Sequence, residues 1–398
     1  MDNLVLLITN PNQSFVRTEI ATFALLVKKL FVISITHETS EYKLPSNVEF
    51  HKFSTLDYKK EKKISHLIPV FLNDFFGHIT NIPYLKKSRE HVSFLRQAVC
   101  LKTQLISFYE KHKLIETTPI LSFWCDIWAL SLALLKADNS HVNVCTRLHG
   151  RDLYEDRQPT TTFAIPFRRY VVNHLDKLLP ISIHGATYLK QKYPKVIEKI
   201  VVNYLGCPDL GECKEVNEVF TIISIATIRH VKRIHRIAEV VKAFPKPIKW
   251  IHIGGEANRK KDNTIAYTEQ LMNEINELPD KEVNMLGHVN PEKVSQVAHQ
   301  YKPHVLVNAS EYEGLPVSVM EALSMGIPCV ATNVGGTSEL VTSSFLIDEN
   351  FTNEDLTKKL LYVYDCYQAN WKTQARKLWE KELNPTILKK QLLRILKA

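Results

Sequence analysis

The chain has no C-x-x-C pair, and its seven cysteines (100, 125, 145, 207, 213, 329 and 366) are scattered and odd in number. A disulfide framework is therefore not expected, and a reducing compartment is. Cys145 and Cys329 sit inside apolar runs, where a thiol behaves as a small hydrophobe. Long apolar stretches are also missing. The longest, Ile120 to Leu135, is interrupted by Asp126 and falls short of the roughly 18 residues a membrane span requires. The N-terminal run Leu4 to Ile8 is short and has no basic flank, so no secretory signal is expected and the compartment reads as cytoplasmic. Low-complexity segments are absent. So is any D-x-D cluster with a histidine at metal-ligand spacing, which leaves no metal expected at the site and no cofactor.

What remains is an ordinary globular composition, 45% hydrophobic and 23% charged over 398 residues, enough for two or three domains with real cores. The formal net charge of +9 attracts polyanions in general, whether anionic lipid or phosphorylated substrate. Nucleic acid is not favoured, because no recognised module and no basic surface with interleaved aromatics accompanies the charge.

One stretch organises the chain, Tyr301 to Val341. Val305 to Val307 is a short apolar run of the kind a buried parallel strand shows. A turn from Ser310 to Gly314 follows, then Pro316 at a helix start, helix formers from Val317 to Met325, Gly326 as the stop and a second strand from Cys329 to Thr332. Glu313 precedes this helix and Glu321 lies inside it, eight residues later. A carboxylate accepts two hydrogen bonds from vicinal hydroxyls, and a helix N-terminus offers amides and partial positive charge to a phosphate. The pair thus suits a phosphorylated sugar or ribose. The plainer alternative is a solvated helix glutamate beside one placed for the helix dipole.

The rest of the chain repeats strand and helix, which implies parallel sheets and an α/β fold. Strands are expected at Asn3–Thr9, Phe31–Thr36, Pro119–Phe123, Val142–Thr146, Leu178–Ile183 and Lys199–Leu205. A helix is expected over Arg17–Leu30, and residues 50 to 116 show little pattern. Within them the basic run Lys59–Lys63 precedes an aromatic-rich amphipathic segment, a combination that suits either an anionic membrane face or a core-packed helix. The strand at Val142–Thr146 discharges C-T-R-L-H-G-R-D-L-Y, which brings Arg147, His149 and Asp152 to a strand end. The linker at Gly206–Glu212 closes a first domain, 1–207. A second, 208–384, opens with strand Thr221–Ala226 and a basic loop carrying Arg229, Lys232 and Arg233. Its later strands run into turns at Gly254 and Gly287.

The run E-G-L-P-V-S-V-M-E-A-L-S-M-G-I-P-C-V-A-T-N-V-G-G-T-S-E resembles the E-x(7)-E region of the family-4 retaining glycosyltransferases. The resemblance implies the GT-B fold, two Rossmann-like doubly wound parallel-sheet domains facing across a cleft, with a C-terminal helix at 385–398 returning to the first. It implies that Glu313 contacts the donor sugar, that Glu321 holds the ribose, that amides of Gly314 and Leu315 meet the diphosphate and that the Gly287 turn borders the base. R-L-H-G-R-D-L-Y is similar to a stretch of the surface-polysaccharide (capsule and O-antigen) branch, in which a histidine, here His149, faces the donor sugar. Arg147 and Asp152 then fall on the acceptor side. The family's basic pair in the loop after the first strand of the second domain maps to Lys232 and to Thr227, a departure for which Arg229 or Arg233 is a substitute.

The implied activity is metal-independent, retaining transfer of a hexose from a nucleotide-diphosphate sugar, UDP-sugar first and GDP-sugar next. The acceptor is a saccharide carried on lipid, used in surface polysaccharide synthesis, with peripheral docking on the inner face of the plasma membrane. Two alternatives stay open: a nucleotide-sugar epimerase or hydrolase on the same fold, and a non-catalytic GT-B subunit that binds sugar nucleotide.

Overall fold

The computed structural model describes residues 1–11, 13–35, 43–56, 67–77, 86–155, 166–255 and 264–397. The chain divides into two compact units, Met1–Tyr204 with Pro385–Ala398 and Leu205–Asn384. The boundary comes before Cys207, because Cys207 is buried in the second unit, where its amide donates to Leu383 O and its carbonyl accepts from Trp379 Nε1 at 2.9 Å.

The first unit runs β1 (Asn3–Ile8), α1 (Ser14–Ala24), β2 (Lys29–Ser34), β3 (Val48–Lys52), α2 (Ile68–Gly77), α3 (Ser88–Lys111), β4 (Ile120–Ser122), α4 (Ile127–Asp138) and β5 (Val144–Leu148). It continues with α5 (Gly150–Leu153), α6 (Arg168–His174), β6 (Lys177–Pro180) and α7 (Ile183–Lys192). Its six strands are parallel in the order β3-β2-β1-β4-β5-β6, so the winding direction reverses between β1 and β4. β1 and β4 are apolar because both faces of the sheet are covered.

The second unit runs β7 (Thr221–Ile225), α8 (Ile234–Ala243), β8 (Ile248–Ile253), α9 (Thr264–Asn276), β9 (Lys281–Met285), α10 (Val294–Tyr301), β10 (Val305–Asn308) and α11 (Val317–Ser324). β11 (Cys329–Thr332), β12 (Leu346–Ile347), α12 (Asn353–Cys366) and α13 (Asn370–Leu378) complete it. The order β12-β11-β10-β7-β8-β9 is again parallel and reverses between β7 and β10. Trp250, Val305 and Val330 lie in its core, each large side chain there stabilising by roughly 1.5–3 kcal/mol. After this unit, α14 (Pro385–Ile395) rejoins the first and packs on α1.

Three expectations are corrected. The first helix stops at Ala24 rather than Leu30, since Lys29 and Leu30 already pair with Asn3 and Leu4 in the sheet. Lys199–Leu205 forms a single bridge, Leu178 to Ile200, in place of a strand. The weakly patterned region contains the 24-residue α3, whose Leu95, Ala98, Leu101, Leu105 and Phe108 face the core at helical spacing. The run Lys59–Lys63 lies outside the described residues.

Candidate active site

Strands β7 and β10 are neighbours at the reversal point of the second sheet, and the loops leaving their carboxyl ends carry Lys232 and Glu313. Open α/β sheets bind ligands at such a position. Lys232 sits on a single 3₁₀ turn, His230–Lys232, and its Nζ lies 2.6 Å from Glu313 Oε1, both side chains mostly buried. Glu313 is further held by Asn308 at the end of β10: the Asn308 amide spans Glu313 Oε1 at 3.4 Å and Ser318 Oγ at 3.3 Å, while its own Oδ1 accepts from Ser310 N. Glu311 N donates to Val231 O at 2.8 Å, which stitches the two loops together.

Gly335 explains how Glu313 can sit so close to the following turn. Its φ is +55°, and a Cβ there would lie 1.9 Å from Glu313 O, so the position admits only glycine. The neighbouring Gly336 N donates to Gly314 O at 2.9 Å. The amides of Gly314 and Leu315 donate to no protein group among the described residues, although both residues are buried. Buried amides without partners are costly and mark a place where an anionic ligand would satisfy them.

Glu321 lies one turn into α11, half-buried. Desolvation pushes its carboxyl up to about 7, and no described residue offers it a hydrogen bond or a cation. Such a carboxylate is a poor stabiliser and a good hydroxyl acceptor. At the far strands, Gly254 has φ +144° and approaches Ala226 so closely that a Cβ would lie 1.7 Å from its carbonyl. Gly254 N donates to Gly287 O, and Ile228 N to Gly255 O, so the turns after β7, β8 and β9 form one backbone wall. Gly287, with φ +62°, has open space where its side chain would be.

The two candidate arginines differ. Arg229 is half-buried and pairs with no carboxylate among the described residues. Arg233 is turned away, donating to Glu349 O at 2.7 Å beside Phe351.

In the first unit, His149 ends β5 and precedes α5. Its ring lies tilted against Trp124 and Phe123, with centroids 4.1 and 4.9 Å away, and its Nδ1 lies 3.9 Å from Asp152 Oδ2. Burial lowers its pKa, so the ring is kept neutral. Asp152 is not exposed to an acceptor: its Oδ1 accepts from His149 N at 2.5 Å and its Oδ2 from Cys125 N at 2.6 Å. Arg147 is likewise buried, its Nη1 on Glu19 Oε1 at 2.7 Å and its Nη2 on Asn203 Oδ1 at 2.8 Å. Both side chains are thus engaged by partners within the first unit. Two residues went unread in the sequence as site residues. Asn308 was signalled only by a polar residue closing the run V-L-V-N. Asp126, at the reversal point of the first sheet, accepts from Thr9 Oγ1 at 2.6 Å, and burial pushes its carboxyl up to about 6.

This arrangement defines a class. Residues 212–378, within the second unit, match the family model for glycosyl transferases group 1. The two doubly wound sheets are those of the GT-B fold. Among curated proteins, the O-antigen biosynthesis glycosyltransferase WbnH of Escherichia coli is 33% identical over 130 residues, 33% of this chain. The chain matches 33% of the length of that relative, and the same share of the probable O-antigen biosynthesis glycosyltransferase WbiN of Escherichia coli. Among solved structures, a glycosyltransferase from Rickettsia africae superposes with a TM-score of 0.71 at 14% identity, covering 100% of this chain and 98% of that one. Anabaena Alr3699/HepE in complex with UDP and glucose gives 0.70 at 13% identity, covering 100% and 99%.

Proposed function

We propose that this chain is a retaining glycosyltransferase that moves a sugar from a nucleotide-diphosphate sugar, UDP-sugar first and GDP-sugar next, to a saccharide acceptor in surface polysaccharide synthesis. The observation that carries the reading is the Lys232–Glu313 pair at a sheet reversal point, with the partnerless Glu321 carboxylate eight residues on. Lys232, Arg229 and the amides of Gly314 and Leu315 would stabilise the departing diphosphate, the largest catalytic contribution expected of such a site. Glu321 would hold the ribose hydroxyls and the glycine wall at Gly254 and Gly287 the base. Glu313 would orient the transferred sugar, and the ring of His149 is the sugar-facing group proposed for the first unit. Protein cations serve the diphosphate in this reading, with no divalent metal and no cofactor assigned. Support for the donor class comes from HepE, whose complexes contain UDP and glucose.

A lipid-linked acceptor and peripheral membrane docking belong to the same proposal. Ile68, Leu72 and Phe76 are exposed at helical spacing along α2, an apolar stripe that suits the apolar side of a bilayer interface. Among the described residues no helix is long and apolar enough to cross a membrane.

The test is a thermal-shift panel of nucleotide-diphosphate sugars on wild type, Glu321→Ala and Lys232→Ala. A donor that stabilises wild type and neither variant supports the pocket; equal shifts in all three refute it. Donor incubated alone separates the alternatives, because epimer or free sugar formed rapidly without acceptor would indicate an epimerase or hydrolase. The anomeric configuration of the product decides retention.

A further inference from the structure

Outside the donor residues, the first unit holds a cluster that the proposed transfer does not use. Glu49 and His51 are two apart on the edge strand β3 and so share one face, and His112 caps the C-terminus of α3 directly beside them. His51 Nε2 lies 2.8 Å from Glu49 Oε1, and His112 Nδ1 lies 3.7 Å from the same oxygen. One ligating atom from each of the three residues falls within 4.8 Å of the others, and all three side chains are half-buried. A tetrahedral ion with bonds of about 2.0–2.1 Å separates its ligand atoms by roughly 3.3 Å, a spacing these residues reach by small side-chain rotations.

The surroundings favour a ligand more than an empty cluster. The ring of His112 makes no hydrogen bond among the described residues; its Nε2 is buried and partnerless, and its Nδ1 is too far from Glu49 to bond. A buried ring nitrogen without a partner is costly, and a bound ion would relieve that cost. Phe31 and Phe108 pack on both imidazoles, with centroids 5.2 and 4.3 Å from His112, forming a dry wall around the ligand atoms. Lys29 Nζ holds the second carboxylate oxygen of Glu49 at 2.6 Å, the kind of outer contact that fixes a ligating carboxylate.

We infer that Glu49, His51 and His112 form a binding site for one borderline divalent transition-metal ion, zinc in particular, which pins the edge strand β3 to the end of α3. Two imidazoles and one carboxylate disfavour magnesium and calcium, which take oxygen ligands. The site belongs wholly to the first unit and is structural, separate from the diphosphate chemistry assigned to Lys232.

The experiment is to strip the full-length protein with chelator and titrate it with Zn²⁺ and with Co²⁺, reading stoichiometry by elemental analysis and coordination by visible absorption. Wild type is expected to bind one ion per chain, to give the intense absorption of four- or five-coordinate Co²⁺ and to melt at a higher temperature when loaded. His51→Gln and His112→Phe are each expected to weaken binding by tenfold or more. His112→Phe keeps the aromatic packing, so circular dichroism will separate lost ligation from lost fold. Lys29→Met touches neither imidazole and is expected to weaken binding roughly 10–100-fold. Equal affinity in wild type and His112→Phe, or a pale six-coordinate spectrum, overturns the site. So does the absence of a thermal shift with Zn²⁺.

Discussion

Glu321 is held in a state that suits a ligand better than it suits the fold. Its carboxyl has a folded value of about 7 against an ordinary 4.5, the shift coming from desolvation. A raised value means that its contribution to stability is present below about 4.5 and is lost as pH rises through about 7. Glu321→Gln is therefore expected to raise the melting temperature of the ligand-free protein at pH 8, with the gain shrinking towards pH 5, while the donor-induced shift disappears. Scanning calorimetry across that range, with and without donor, checks both signs. Wild-type donor affinity should weaken as pH falls through about 7, because the protonated carboxyl accepts fewer hydroxyl bonds. Lys232→Ala removes the cation beside Glu313; on the proposed diphosphate role a loss of about 10²–10³ in kcat/KM is expected, read in steady-state transfer assays.

Among the elements, the turn after β11 is the one on which the site geometry depends. Gly335→Ala would place a methyl 1.9 Å from Glu313 O in a backbone conformation that L-residues rarely adopt. Donor binding should fall along with stability, by several degrees of melting temperature, whereas Gly287→Ala, with open space at its Cβ, should be tolerated sterically and pay only for φ. Helix α2 offers a separate test. Replacing Ile68, Leu72 and Phe76 with serine should abolish cosedimentation with anionic vesicles and leave donor-induced thermal shifts unchanged.

At the level of the whole molecule, the chain closes its first unit with its last helix. Lys389 on α14 and Arg147 on β5 both meet Glu19 on α1, and all three are buried. Glu19→Gln would leave two buried cations facing a neutral amide, at a cost of about 3–5 kcal/mol. Urea unfolding should show that loss in the first unit's transition alone. Removal of residues 385–398 should do the same and spare a transition assigned to the second unit, whose core is its own.

The sequence by itself determined the parallel α/β class and the place of the E-x(7)-E helix in it. Apolar strands such as Val305–Val307 and the E-x(7)-E helix are local in the chain, so their pattern and spacing survive in one dimension. Tertiary structure alone decided which charges are spent on the fold. Arg147 and Asp152 looked like ligands beside His149, yet Glu19 and Asn203 claim the first, and the amides of Cys125 and His149 the second. Those partners lie up to 128 residues away in the chain, and no local spacing announces them. Likewise Arg229 and Arg233 were equivalent on paper, and only the carbonyl of Glu349 separates them. α3 is not legible in the sequence because its polar face interrupts the apolar pattern, and burial shows which of its residues form the core.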